Sequence, residues 1–177
     1  MYRVQESAII PISAEDTWEL MRDLDLRPTW DTTVHNVSRD EQFLYYKAPL
    51  ISGFSWQWTG EYITFEPPTR SAVKMISGSL HRPFASLVGS WILKPQGSET
   101  LLTMTTSFEP RLKLPFLPSI MSRRISRIML ESMANLASLA ASRCNLHCSL
   151  ILYLVVPPTL YLVGLSPLFA SLYIRPV

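Results

Sequence analysis

The chain has 177 residues, 47% of them apolar and 17% charged, with a formal net charge of +2. That length suits one domain with its own core, and so apolar a composition excludes a disordered chain. So small a net charge gives no sign of a nucleic-acid partner.

Residues 2–12 alternate, with Val4, Glu6, Ala8 and Ile10 on one face, and predict a first strand ending at Pro11. Ser13 is placed to cap a helix, Asp16 stands three residues on, and Thr17, Trp18, Leu20, Met21 and Leu24 form the helix's buried stripe. Residues 25–30 contain Pro28 and predict a short helical turn or loop. Strands are predicted over 33–38 and 42–47, then a long one over 54–65 closed by Pro67-Pro68, and another over 71–77. Two more, over 87–94 and 100–108, flank a Pro95-Gln96-Gly97-Ser98 turn. From Ser119 the period becomes helical: Met121, Ile125, Met129, Met133, Leu136 and Ala140 recur at spacings of three and four, and Arg123, Arg124, Arg127 and Glu131 take the other face. An antiparallel sheet of about seven strands curled around one long helix buries all these faces and predicts an α+β fold with a cavity between sheet and helix.

The composition changes after Arg143. Of the 34 residues in 144–177, 22 are apolar, and Arg175 carries the one formal charge. We therefore expect a body over 1–143 and a separate tail over 144–177. The tail is long enough to span a bilayer, but Pro157, Pro158 and Pro167 interrupt a regular helix. It reads as a membrane-associated segment or as the product of a misread gene. Both cysteines, Cys144 and Cys148, lie in it, at a spacing that fits small apolar packing or palmitoylation. With three histidines and no zinc-type spacing, no metal site is expected. The first residues lack the basic start and apolar run of a signal peptide, so a cytoplasmic location is expected, with membrane association only through the tail.

Several segments of the body resemble one family. Val4 to Leu20 with its Ile10-Pro11-x-Ser13 and Trp18, then Trp30, the Glu66-Pro67-Pro68-x-Arg70 corner, and Ser90-Trp91-x-Leu93-x-Pro95 running into Gly97-x-x-Thr100 look like the polyketide cyclase/dehydrase branch of the START/Bet v 1-like superfamily. The resemblance covers residues 3 to about 142. It implies a helix-grip fold with an interior apolar cavity, the element order that periodicity predicts independently. It also implies a hydrophobic small-molecule ligand and no cofactor. Members include carriers of lipid or isoprenoid as well as cyclases, and the fold does not choose between them.

The predicted strand over 54–65 carries Trp56, Trp58 and Tyr62 on one face, flat walls with hydrogen-bonding tips that suit a polycyclic or polyene ligand as well as a packed core. Val73, Met75 and Ser77 are expected to continue that face, with Trp91 and Met104 beyond it. For an enzyme, the chemistry would be cyclisation or dehydration of a polycarbonyl, which needs an acid/base pair and an oxyanion donor. Tyr62 is the candidate donor, His81, His35 and Asp31 are candidate acid/base groups, and Arg70 or Arg82 could hold a substrate carboxylate. Each of these also has a plainer reading as a solvated turn, cap or surface charge. Charge is uneven too: residues 1–66 hold 5 basic and 11 acidic groups, residues 67–177 hold 11 and 3. The region 111–127 combines five cations with Leu112, Leu114 and Phe116, and reads either as an ordinary packed loop and solvated helix or as a surface for an anionic membrane.

Overall fold

The computed structural model describes residues 1–40, 43–49, 55–80 and 82–155, with side chains as far as Arg143. The chain separates into two units, Met1–Ser142 and Arg143–Val177. The first strand, β1, runs over Tyr2–Ile10, with Val4, Glu6, Ala8 and Ile10 turned inward as the alternation predicts. Helix α1 covers Ala14–Arg22; Ser13 caps it, accepting from the Asp16 backbone N–H at 3.1 Å, while its hydroxyl donates to the Asp16 carboxylate at 2.8 Å. Pro28 sits at the start of the short helix α2, Arg27–Trp30, where its missing N–H costs nothing.

Six further strands follow: β2 Asn36–Asp40, β3 Phe43–Pro49, β4 Ser55–Glu66, β5 Arg70–Gly78, β6 Phe84–Gln96 and β7 Glu99–Pro110. All neighbours pair antiparallel in the order β1-β7-β6-β5-β4-β3-β2, so β7 closes back on β1 and the hairpins run outward from it. Strands β6 and β7 extend further than predicted, and their turn needs Gly97 at φ +66°. Two strands change phase. In β4, Tyr62 pairs with Val73 while Thr64 pairs with Ala72, so Ile63 bulges out. Gly60 pairs with Met75 while Thr59 pairs with Ser77, so Ile76 bulges out and Ser77 turns to the outer face, not the inner one predicted.

Helix α3 spans Leu117–Val155. Within the first unit it lays Met129, Met133, Leu136 and Ala140 on the sheet's inner face and keeps Arg123, Arg124, Arg127 and Glu131 exposed. Polar contacts fix its register. Ser126 donates to Glu6 at 2.6 Å, and the buried Ser132 hydroxyl accepts from the Thr32 backbone N–H at 3.1 Å. Asn135 donates to the Trp30 carbonyl at 3.4 Å, so helix α3 also holds the segment after α2 in place. Among the described residues no helix is long and apolar enough to cross a membrane.

Candidate functional site

The inner face of the sheet has two parts. Toward β3 and β4 it is an aromatic ladder. Tyr46 stacks on Trp58 with ring centroids 3.9 Å apart, Trp58 lies 6.0 Å from Trp56, and Trp56 lies 5.7 Å from Phe84. Gly60 makes the stack possible: a Cβ there would come within 2.6 Å of Val73 Cγ1 and 3.2 Å of the Tyr46 ring. Trp56 and Met75 are buried, Trp58 and Tyr62 half-buried. Phe54 lies outside the described residues.

The second part is charged. Arg27 is 6% exposed and Asp31 1%, and Arg27 Nε–H donates to Asp31 Oδ2 at 2.7 Å. The guanidinium lies between two indoles, 5.1 Å from the Trp30 ring and 4.8 Å from Trp91. Burial works against its charge, but Asp31, together with Tyr46 and Tyr62, offsets that and raises its pKa above the ordinary value. The other Asp31 oxygen accepts from the Thr33 backbone N–H at 3.0 Å and from the Thr33 hydroxyl. Asp31 thus holds Arg27 through one oxygen and Thr33 through the other.

Beside this pair is a crevice of about 20 Å³, room for one water-sized group, lined by Trp18, Met21, Arg27, Tyr62, Ser71 and Trp91. Arg22 and Phe65, both exposed, complete its wall. Its lining is rich in unused donors. The indole N–H groups of Trp18 and Trp91 are buried without an acceptor among the described residues, and of the Arg27 donors only Nε–H has one.

Tyr46 stands close enough to feel Arg27 and Tyr62, and burial raises its pKa well above that of a free phenol, with Arg27 offsetting only part. The unfolded phenol ionises near ~10. Above that pH the unfolded chain releases a proton that the folded one keeps, so stability falls as pH rises. In denaturant titrations between neutral pH and pH 11 the wild type should lose on the order of 1 kcal/mol more than Tyr46→Phe.

The structure brings Tyr62, Asp31 and Trp91 together around Arg27, with Met104 paired to Trp91 across β6 and β7. Other candidates lie elsewhere. Arg70 is on the surface, where both arms of its guanidinium bind Glu66 at 2.7 Å and hold that carboxyl below its ordinary pKa. Arg82 is half-buried and donates to the Gly78 carbonyl at 2.9 Å. His35 is exposed, at the rim of an open cleft of about 720 Å³ on the outer face of the sheet, with Asn36, Tyr45, Lys47, Gln57 and Ser77. Tyr46 and Trp58 also line it, so the cleft reaches the stacked pair of the aromatic ladder. His81 lies outside the described residues. Arg27, Tyr46 and Ser132 were not among the sequence candidates; the i,i+4 spacing of Arg27 and Asp31 was the available signal for the first.

The sequence profile for polyketide cyclase/dehydrase and lipid transport proteins matches residues 1–141. The chain belongs to that family. Solved structures share the helix-grip fold with it. An aromatase/cyclase, Zhui, from Streptomyces sp. R1128 superposes with a TM-score of 0.67 at 14% identity, over 81% of this chain and 95% of that one. A protein of Thermus thermophilus gives 0.67 at 17% identity, over 80% and 99%. A START superfamily protein from Mycobacterium smegmatis gives 0.60 at 17%, over 81% and 97%. At these identities the likeness concerns the fold alone. No curated protein matches the chain.

Proposed function

We propose that this family member binds a hydrophobic small molecule rich in carbonyl or enol oxygens against the inner face of its sheet, and acts on it as a cofactor-independent cyclase or dehydratase. The observation that carries this reading is the surplus of donors around the interior crevice: the indole N–H groups of two residues that line it, Trp18 and Trp91, are buried without a partner among the described residues, and of the Arg27 donors only Nε–H has one. A carbonyl or enolate oxygen supplies the missing acceptor, and burial of unmatched donors is what such a ligand would relieve. Arg27, kept charged by Asp31, would stabilise an enolate, Tyr62 would donate to its oxygen, and the Tyr46–Trp58–Trp56 ladder would take the flat apolar remainder.

One observation favours a second reading, a non-catalytic carrier of lipid or isoprenoid. Both Asp31 oxygens are engaged and His35 lies on the outer face, so among the described residues the crevice has no free carboxylate or imidazole to take a proton. Turnover separates the two. Incubated with a synthetic poly-β-ketone, the full chain should form cyclised product, and Tyr62→Phe should lower kcat by about a hundredfold while leaving the thermal midpoint in place. Unchanged rates in Tyr62→Phe would remove that residue's role. No turnover, together with a lipid recovered by organic extraction of the purified chain, would establish the carrier.

A further inference from the structure

Several strongly exposed apolar side chains gather where the β5–β6 connection meets the segment after β7. Arg111 donates through Nη1 to the Leu80 carbonyl and through its backbone N–H to the Pro83 carbonyl at 3.0 Å, which ties the β5–β6 connection to the segment after β7. These two segments present Leu80 at 79% exposure, Leu112 at 65% and Phe116 at 60%, with Leu114 beside them and Ile120 just inside helix α3. Apolar side chains exposed together in this number mark a contact surface and not ordinary solvation.

Cations dominate the charge around this tip, with Glu109 and Glu131 exposed at its margins. Arg111 and Lys113 are exposed within it, and Ile120, Arg123, Arg124 and Arg127 follow at i, i+3, i+4 and i+7, one exposed stripe of α3 continuing from the tip. No acidic residue occurs between 111 and 127. Among the described residues none of the five cations pairs with a carboxylate; the ion pairs there are Arg22–Glu19, Arg27–Asp31 and Arg70–Glu66.

We infer that this tip docks on an anionic membrane surface, with Leu80, Leu112, Leu114 and Phe116 entering the headgroup layer and the five cations meeting lipid phosphates and carboxylates. A bilayer fits better than a folded partner because the apolar groups protrude from loops and line no groove, and a fluid interface needs no complementary shape. It fits better than a nucleic acid because the protruding groups are mostly aliphatic and offer one aromatic ring, too few for base stacking. Juxtaposed apolar and basic side chains reinforce each other at such a surface, the cations through the negative lipid potential and the apolar groups through burial.

The test is cosedimentation of the full chain with phosphatidylcholine vesicles, with and without phosphatidylserine. Binding should be about tenfold or more tighter to the vesicles containing phosphatidylserine and should weaken as salt is raised. Arg123→Glu/Arg124→Glu and Leu112→Ser/Phe116→Ser should each remove most of that difference, and exposure of all four side chains predicts unchanged thermal midpoints. Residues 144–177, with Arg175 as their one formal charge, are common to every variant, so they cannot account for a difference between variants. Equal binding to both vesicles overturns the inference. So does wild-type binding by the Leu112→Ser/Phe116→Ser variant, which would leave only a general polyanion site.

Discussion

Arg27→Met should destabilise the protein by about 3 to 5 kcal/mol, because it leaves Asp31 charged and buried with its partner gone. For a chain of this size that corresponds to a fall in Tm on the order of 10 °C. The double variant Arg27→Met/Asp31→Leu should recover most of the loss, since replacing both members of a buried pair with apolar groups is often neutral. The recovery is the informative part. A guanidinium important mainly as an apolar stem between Trp30 and Trp91 would give single and double variants of equal stability, and a double-mutant cycle measures the difference.

The second large effect concerns the helix. Leu136 is fully buried between α3 and the sheet, and Leu136→Ala should cost about 2 to 5 kcal/mol through lost burial and the cavity left behind. Leu130, on the same helix but exposed, provides the control: Leu130→Ala should change stability by no more than about 0.5 kcal/mol. Urea unfolding of the two variants compares the gripped face of the helix with its free face. Equal losses would mean that α3 is not held by its apolar stripe.

Much of this arrangement is legible from period alone. The alternation in β1, the Ser13 cap and the three-and-four spacing after Ser119 each reflect a local rule, and each produced the expected element. The inward turn of Trp56, Trp58 and Tyr62 follows from the same alternation. The bulge at Ile76 could not be read this way, because the phase of β5 depends on how β4 pairs with it; Ser77 lies outside for that reason. His35 likewise takes its face from its place just before β2, not from its chemistry.

The charged centre was half legible. Asp31 was a candidate, but the engagement of its two oxygens by Arg27 and Thr33 was not legible. Arg27 looks from sequence like one more surface cation beside a proline. Its burial depends on Trp91, more than sixty positions away on β6, and on α3, whose Ser132 fixes Thr32. No local pattern encodes those contacts. The crevice itself, a property of donors left without acceptors, exists only once the chain is folded.

The central claim is that the interior selects ligands by their oxygen acceptors. Calorimetric titration of the full chain with 2-acetylnaphthalene and with 2-ethylnaphthalene tests it directly, since the two share size and apolar surface and differ in one carbonyl. The ketone should bind about tenfold or more tighter than the hydrocarbon, and Arg27→Met/Asp31→Leu should reduce that preference severalfold while keeping the hydrocarbon's affinity. Equal affinities for the two ligands, or a preference undiminished in the double variant, would contradict the account.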